Sequence, residues 1–210
     1  DIDLTIIDGA LSRLSLASPA VSESMILATG AAYSANINTL VQKTAFVVQM
    51  INLELTSQEN YDTFIDINSG VWAIDSDNDS DNDSDNDFGK RLVDLKVASS
   101  LSININTDGL KKCKTLYVSG ALTDNFVNHI RQNRIFNETE IVVRDFTKIF
   151  LTPMTYNTFV NGKRKITVLQ KSKLIAVCVN PTSPNGIVLD SEKLCKTLSE
   201  AINLPVYDLK

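Results

Sequence analysis

Apolar residues follow two spacings along this chain, and the two spacings predict alternating strands and helices. Short apolar or β-branched runs are typical of strands, whereas apolar residues three or four positions apart are typical of amphipathic helices. The first pattern predicts strands at 4–7, 92–97, 115–119, 140–143, 149–151, 165–169 and 174–179, and one from residue 206 onward. The second predicts helices at 34–53, 124–131, 153–160 and 191–202, and one that starts at residue 22. This order favours an α/β fold, with a mostly parallel sheet and flanking helices.

Two of the predicted strands end in nearly the same phrase. Residues 5–13 (TIIDGALSR) and 116–124 (LYVSGALTD) each run from apolar residues through Gly-Ala-Leu to polar ones. A buried parallel strand has this pattern where it passes into a loop and helix. Because ligands of open α/β sheets bind at the carboxyl ends of the strands, polar residues after these strands are candidates for a site.

Asp8 ends the first apolar run, and two roles are open for it. In phosphate-binding NTPases, an aspartate in this position helps to hold Mg²⁺ beside the nucleotide. Alternatively, Asp8 caps the turn before Gly9. The Gly-x-x-x-x-Gly-Lys-Ser/Thr loop that such enzymes require does not occur in the 210 residues, so this chain alone is not a complete P-loop enzyme.

Five further residues are candidate ligand contacts, and three of them have a structural alternative. Asp124 begins a predicted helix, where it or Thr123 would also serve as an ordinary cap. Asp145 and Lys148 lie between two short predicted strands and form either a catalytic pair or a salt-bridged surface turn. The loop 180–186 follows a predicted buried strand and contains two prolines, which favours a rigid ligand-contacting loop that includes Asn180 and Ser183.

An Asp-Ser-Asp-Asn repeat divides the chain in two. Its seven aspartates account for more than the whole net charge of −5, so the remainder is nearly neutral. The repeat lacks apolar residues and repels itself, which predicts a disordered insert at 75–88 between two lobes, 1–74 and 89–210. The alternative, an EF-hand calcium loop, fails because positions six and twelve are Ser80 and Asn86 rather than Gly and Glu. A weak cation site remains open.

Composition narrows the functional classes further. A hydrophobic content of 43% and a mean hydropathy of −0.01 are typical of a globular protein. No apolar run long enough to span a membrane, no signal peptide and no basic stripe with aromatic residues is present, so neither membrane nor nucleic acid is an expected partner. Three widely spaced cysteines favour a reducing cytoplasm over disulfides or zinc. The single histidine, His129, has no recognisable nucleophile near it in the sequence.

Six segments of the chain together carry a resemblance to one known family. They lie at 6–19, 26–32, 120–124, 145–150, 180–184 and 204–208. In these phrases the chain resembles the P-loop reactivase subunit associated with lysine 5,6-aminomutase in amino-acid-fermenting bacteria. The resemblance covers most of the chain except the Asp-Ser-Asp-Asn repeat.

The resemblance implies an accessory ATPase that exchanges damaged cobalamin in an adenosylcobalamin-dependent mutase. It implies ATP and Mg²⁺ as cofactors of the longer protein, with Asp8 facing Mg²⁺ and with Arg13 and Ser18 in a nucleotide-sensing loop. It also implies two partners, the aminomutase and a second reactivase subunit, with partner contacts in 89–210. Because the family's Walker-A loop lies upstream of the first matching strand, the resemblance implies that this chain is a C-terminal portion without ATPase activity of its own.

Two other functions stay open from the residues alone. One is a self-contained α/β domain that binds a small molecule at the two Gly-Ala-Leu strand ends and the 180–186 loop. The other is an interaction module without catalysis, in which the acidic repeat is a soluble spacer.

Overall fold

Each of the five α-helices in the described residues begins directly after a capping side chain. The structure is a computed structural model that describes residues 3–9, 14–75, 91–97, 105, 107, 110, 112–161 and 163–209. The helices are α1 (Ile37–Ile51), α2 (Gln58–Phe64), α3 (Asp124–Gln132), α4 (Pro153–Val160) and α5 (Ser191–Ile202). The caps are Asn36, Ser57, Thr123, Thr152 and Asp190, each accepting a hydrogen bond from the backbone N–H three residues later. Such a bond satisfies one of the donors that a helix start leaves unpaired.

The strands of the described residues are interspersed with these helices, although two helices and, after them, four strands come in succession. They are β1 (Ser24–Gly30), β2 (Val71–Asp75), β3 (Arg91–Asp94), β4 (Cys113–Val118), β5 (Leu122–Thr123), β6 (Glu140–Val143), β7 (Ile149–Phe150), β8 (Lys165–Val168), β9 (Lys173–Asn180) and β10 (Val206–Asp208). The α/β class is therefore confirmed. The contacts divide the chain into two compact units, which are residues 1–53 with 171–210 (unit 1) and residues 54–170 (unit 2).

Unit 1 contains a three-stranded sheet in the order β1-β9-β10, in which all the strands are parallel. Helix α1 contacts both β9 and α5, and α5 contacts β10. The apolar side chains between these elements are fully or almost fully buried: Leu40, Val48, Ile51, Val177, Leu194 and Leu198. Burial of apolar surface from residues distant in sequence therefore stabilises this unit.

Strands β1 and β9 lie so close at their carboxyl ends that only glycine fits there. Gly30 pairs with Asn180, and the N–H of Ala31 donates to the Asn180 carbonyl oxygen at 2.9 Å. A Cβ atom on Gly30 would lie 2.1 Å from that same oxygen. The pairing of these strands thus depends on the missing side chain at Gly30.

Unit 2 contains a five-stranded mixed sheet in the order β3-β2-β4-β6-β8. Strands β4, β6 and β8 are parallel, whereas β2 is antiparallel to both β3 and β4. Beyond the ends of β4 and β6, the same two chain segments pair again as β5 and β7. The expectation of parallel pairing is thus confirmed for most of the strands, and β2 and β3 are the exceptions.

The core of unit 2 is organised around a buried aromatic pair. The rings of Phe64 and Tyr117 stack with their centroids 4.8 Å apart, and both side chains are inaccessible to solvent. The Tyr117 hydroxyl donates to the Ile67 carbonyl oxygen at 3.0 Å, which satisfies its polar atom in the core. Burial raises the pKa of Tyr117.

A polar network fixes α2 against the amino ends of β6 and β8. The Glu140 carboxylate accepts hydrogen bonds from the hydroxyls of Thr56 and Thr167, at 3.0 and 2.6 Å, and lies 3.2 Å from Lys165 Nζ. Asn60 Nδ2 donates to the Thr56 hydroxyl at 3.0 Å. Because the acid has several donors, its burial is compensated.

Two expected elements near the amino terminus are wrong. Residues 4–7 do not form a buried strand, because they lack regular structure and Leu4 and Ile6 are 77% and 86% exposed. The helix expected from residue 22 is instead the strand β1. Its partner β9 lies more than 140 residues away, so local spacing does not reveal the pairing.

The unit boundaries also differ from the expected division at 1–74, 75–88 and 89–210. Asp75 and Arg91 are paired residues of the antiparallel strands β2 and β3, so both ends of the acidic repeat belong to unit 2. The repeat itself, from residue 76 onward, lies outside the described residues. Within the described ranges, no helix has the length and apolarity needed to cross a membrane.

We expect Gly30→Ala to lower the free energy of unfolding by about 1–3 kcal/mol, the usual cost of overpacking, because its Cβ would collide with the Asn180 carbonyl oxygen. Chemical denaturation of the two proteins measures the change. Gly9→Ala is the matched control, since a Cβ there meets no atom within 4 Å. Equal stability of the wild type and Gly30→Ala would contradict the close approach.

Candidate functional site

The candidate residues fall into two sets, one in each unit. Asp8, Ser18, Asn180 and Ser183 belong to unit 1, and Asp124, Asp145 and Lys148 belong to unit 2. Arg13 lies outside the described residues, so its proposed contact stays a prediction.

In unit 1, three strand ends converge on one edge of the parallel sheet. Strands β1 and β9 end at the paired residues Gly30 and Asn180, and Asp208 at the end of β10 pairs with Val179. The Asn180 side chain fixes the start of the loop after β9, because its Oδ1 accepts a hydrogen bond from the Thr182 N–H at 3.0 Å. The loop after β9 therefore starts in a defined direction at the edge where ligands of parallel sheets bind.

Internal hydrogen bonds hold this loop closed. Ser183 is buried, and its Oγ accepts from the Ile187 N–H at 3.1 Å while its own N–H donates to the Ile187 carbonyl oxygen at 2.8 Å. Gly186 has a φ of +81°, which favours glycine at the turn. The Thr182 hydroxyl is buried without a hydrogen-bond partner among the described residues. The loop is thus preorganised and has one unsatisfied polar atom.

A neighbouring pair on this edge is absent from the sequence-based set. The Ser191 hydroxyl, at the start of α5, donates to the Asp208 carboxylate at the end of β10. One turn later, burial raises the pKa of the Cys195 thiol; a hydrogen bond with Ser191 opposes that rise, and the Asp208 charge adds to it. Only the tertiary pairing of β10 with β9 brings these residues together.

In unit 2, Asp145 is a buried capping residue rather than part of a surface turn. Its side chain is 1% exposed, and Oδ1 accepts hydrogen bonds from both the N–H, at 2.8 Å, and the hydroxyl of Thr147. The Lys148 N–H donates to the Asp145 carbonyl oxygen at 3.1 Å, which closes a 3₁₀ turn at Phe146–Lys148. The alternative of a salt-bridged surface turn is therefore wrong in one respect, because the Asp145 side chain is buried rather than exposed.

Asp124 joins the starts of two helices. The capping residue of α3 is Thr123, which leaves Asp124 as the first helical residue. Its Oδ1 accepts from the backbone N–H and the hydroxyl of Thr152, at 2.9 and 3.3 Å, and Thr152 caps α4. The strand pair β5–β7 aligns these two segments. Asp124 thus has a structural contact at the same edge as Asp145.

The remaining predicted residues of unit 1 lie near the amino terminus. Asp8 is exposed and follows a segment without regular structure, so a strand end does not position it. Ser18 closes a turn: its carbonyl oxygen accepts from the N–H groups of Val21 and Ser22 at 2.8 and 3.0 Å. The assignment of Mg²⁺ to Asp8 stays a prediction.

The described part of the chain holds no cluster of three or more His, Cys, Asp or Glu side chains able to bind a metal ion. Cys113 lies in the core of unit 2, where burial raises the pKa of its thiol to about 12. Its thiol contacts the Thr115 carbonyl oxygen at 3.2 Å. A thiol with this pKa is protonated at neutral pH and is a poor nucleophile.

The geometry defines a class of protein in general terms. It is a two-unit α/β protein whose loops follow the carboxyl ends of parallel strands, with a preorganised loop after β9. Comparisons with family models, with curated proteins and with solved structures find no match for this chain. The function is therefore argued from the residues and their arrangement.

We expect Asp124→Ala to lower the free energy of unfolding by about 1 kcal/mol, because the Thr152 N–H loses its acceptor. Asp124→Asn keeps an oxygen acceptor in this position and should retain most of the stability. Thermal and urea denaturation compare the three proteins. If both variants were as stable as the wild type, the contact with Thr152 would not contribute to folding.

Stability should fall as the pH rises from about 9 to about 12, because the Cys113 thiol ionises near its ordinary pKa of 9.0 when unfolded but near 12 when folded. Protonation of this group thus favours the folded state fully below pH 9, and this contribution is lost as the pH approaches 12. The slope from one such group is at most about 1.4 kcal/mol per pH unit. Urea denaturation at a series of pH values should show a shallower slope for Cys113→Ala, and an unchanged slope would contradict the assignment.

Proposed function

We propose that this chain is part of an ATP-dependent reactivase for an adenosylcobalamin-dependent aminomutase. One observation supports the proposal most strongly. Three of the phrases that carry the resemblance, at 26–32, 180–184 and 204–208, are far apart in sequence but meet at the carboxyl edge of the sheet in unit 1. Parallel sheets bind ligands at this edge. The residues that carry the resemblance therefore lie together where a nucleotide contact is expected.

Asn180 and Ser183 are the residues of this edge to which we assign nucleotide contact. The loop that carries them is held by its own hydrogen bonds, so ordering it on binding costs little entropy. The Thr182 hydroxyl in this loop is buried without a partner among the described residues, so a polar group of a ligand that reached it would satisfy it. These residues fit a ligand contact, but the phosphate-cradling loop of an ATPase does not occur in this sequence.

Hydrolysis therefore belongs, in this proposal, to a longer protein that includes such a loop. When bound there, MgATP would supply the free energy for exchange of damaged cobalamin. Asp8 would approach Mg²⁺, and Arg13 and Ser18 would respond to the nucleotide. We assign contacts with the aminomutase and with a second reactivase subunit to unit 2, which contains most of the region 89–210 to which the resemblance assigns them.

A second candidate function is a small-molecule binding domain that works without ATP. The preorganised loop after β9 favours it, since such a loop suits any ligand that docks at the strand ends. The two candidates differ in what binds at the edge and in whether aminomutase recovery depends on ATP.

An NMR titration of this chain with MgATP tests the proposed contact. We expect saturable amide shifts at residues 31–34 and 180–186, and a dissociation constant about tenfold higher in Asn180→Ala. Gln49→Ala is the control, because Gln49 is exposed in the last turn of α1, at the end of the helix that lies farther along the chain from β1. Saturable binding of another metabolite at the same residues, without MgATP binding, would favour the second candidate instead.

A recovery assay tests the reactivase role itself. Inactivated aminomutase is incubated with the longer protein, or with its Asn180→Ala variant, in the presence and absence of ATP. We expect recovery only with the wild-type protein and ATP, and no ATP hydrolysis by this chain alone. Recovery that does not depend on ATP would overturn the proposal.

A further inference from the structure

A cavity of about 320 Å³ lies in unit 1 at the sheet edge opposite the Asn180 loop. Its lining residues are Asn52, Lys171, Ser172, Lys173 and Leu174. Lys173 is the first residue of β9, paired with Ser24 at the start of β1, so the cavity is at the amino end of these strands. The cavity is open to solvent, and its volume is at the lower end of the range of ligand pockets.

Alternation along the chain places the two lysines on the same side. Ser172 and Leu174 are buried, and the Ser172 hydroxyl donates to the Ala17 carbonyl oxygen at 3.0 Å. Lys171 and Lys173 are both exposed. Two positions on the same side of an extended chain are roughly 6.6 Å apart, which is close enough for both ammonium groups to reach one ligand.

Three side chains at this cavity, those of Asn52, Lys171 and Lys173, have no polar partner within the part of the chain that the structure describes. Lys96, Lys112, Lys163 and Lys165 form ion pairs elsewhere in the chain. Neither Lys171 nor Lys173 lies within 4.0 Å of a carboxylate among the described residues. Asn52 ends α1, where its backbone N–H bonds to carbonyl oxygens of the last turn. Its side-chain amide makes no hydrogen bond in the described residues. Three side chains therefore offer unused donors to one cavity.

We propose that this cavity binds the phosphate group of a small phosphorylated ligand. A phosphate monoester carries a charge of roughly −1.5 to −2 at neutral pH. This charge balances two ammonium groups better than the single charge of a carboxylate ligand would. Lysine ammonium groups bind phosphate as compact positive charges, and the Asn52 amide can donate to another oxygen. The site is distinct from the proposed nucleotide contact, which lies at the other end of the same strands.

The adjoining helix end makes both lysines necessary. The last turn of α1 brings the negative end of the helix dipole towards the cavity. Because that partial negative charge disfavours an anion, one ammonium group has to offset it before the pair attracts a dianion. Loss of either lysine alone should therefore weaken binding strongly.

The test is an amide NMR titration of this chain with inorganic phosphate and with glycerol 3-phosphate, against sodium chloride at equal ionic strength. We expect saturable shifts at residue 52 and at 171–174 with the phosphates only. Lys171→Gln and Lys173→Gln should each raise the dissociation constant at least about tenfold. Lys193→Gln, on α5 outside the cavity, is the matched control for the loss of one charge and should bind as the wild type does.

Sedimentation with vesicles that contain phosphatidic acid distinguishes a lipid headgroup from a soluble ester. Binding to vesicles that is lost in Lys171→Gln would identify the phosphate of a lipid headgroup, rather than a soluble ester, as the ligand. Shifts that do not saturate, shifts elsewhere in unit 1, or an equal loss in Lys193→Gln would overturn the proposal. None of these results bears on MgATP, so this inference and the proposed function fail independently.

Discussion

The pairing of β1 with β9 is the interaction on which unit 1 depends. It brings the segment around Gly30 against a strand that ends at Asn180, across the whole of unit 2 in sequence. Helices α1 and α5 then lie close enough to pack, and the loops after both strands emerge side by side. Both candidate ligand sites of this unit, at opposite ends of the same two strands, follow from that single pairing. A side chain at Gly30 would disturb all of them together.

Elements with local signals were predictable, and elements that depend on distant partners were not. Helices 153–160 and 191–202 match the structure because Thr152, Pro153 and Asp190 mark their starts within a few residues. The strand β1 contains an apolar run that suits a helix equally well, and only its partner β9 decides between them. The apolar segment 4–7 has no such partner in the described residues and is exposed.

The candidate residues show the same division between local and tertiary information. Sequence reasoning located the loop that begins at Asn180, because a buried strand and two prolines are local signals. It did not show whether Asp124 and Asp145 contact a ligand or stabilise the fold. In the structure, their carboxylates accept hydrogen bonds from nearby threonines. The Ser191–Asp208 pair and the cavity beside Lys171 were not found, because tertiary contacts create them.

The register of β2 and β3 has a practical consequence for protein engineering. Asp75 and Arg91 face each other in one antiparallel ladder, and the acidic repeat leaves and re-enters the fold between these two paired positions. The entropy of closing such a connection grows slowly, by about 0.6 kcal/mol for each doubling of its length. This point of the chain is therefore a natural insertion point, where a reporter domain or affinity tag could replace the repeat while the ladder on either side keeps its register.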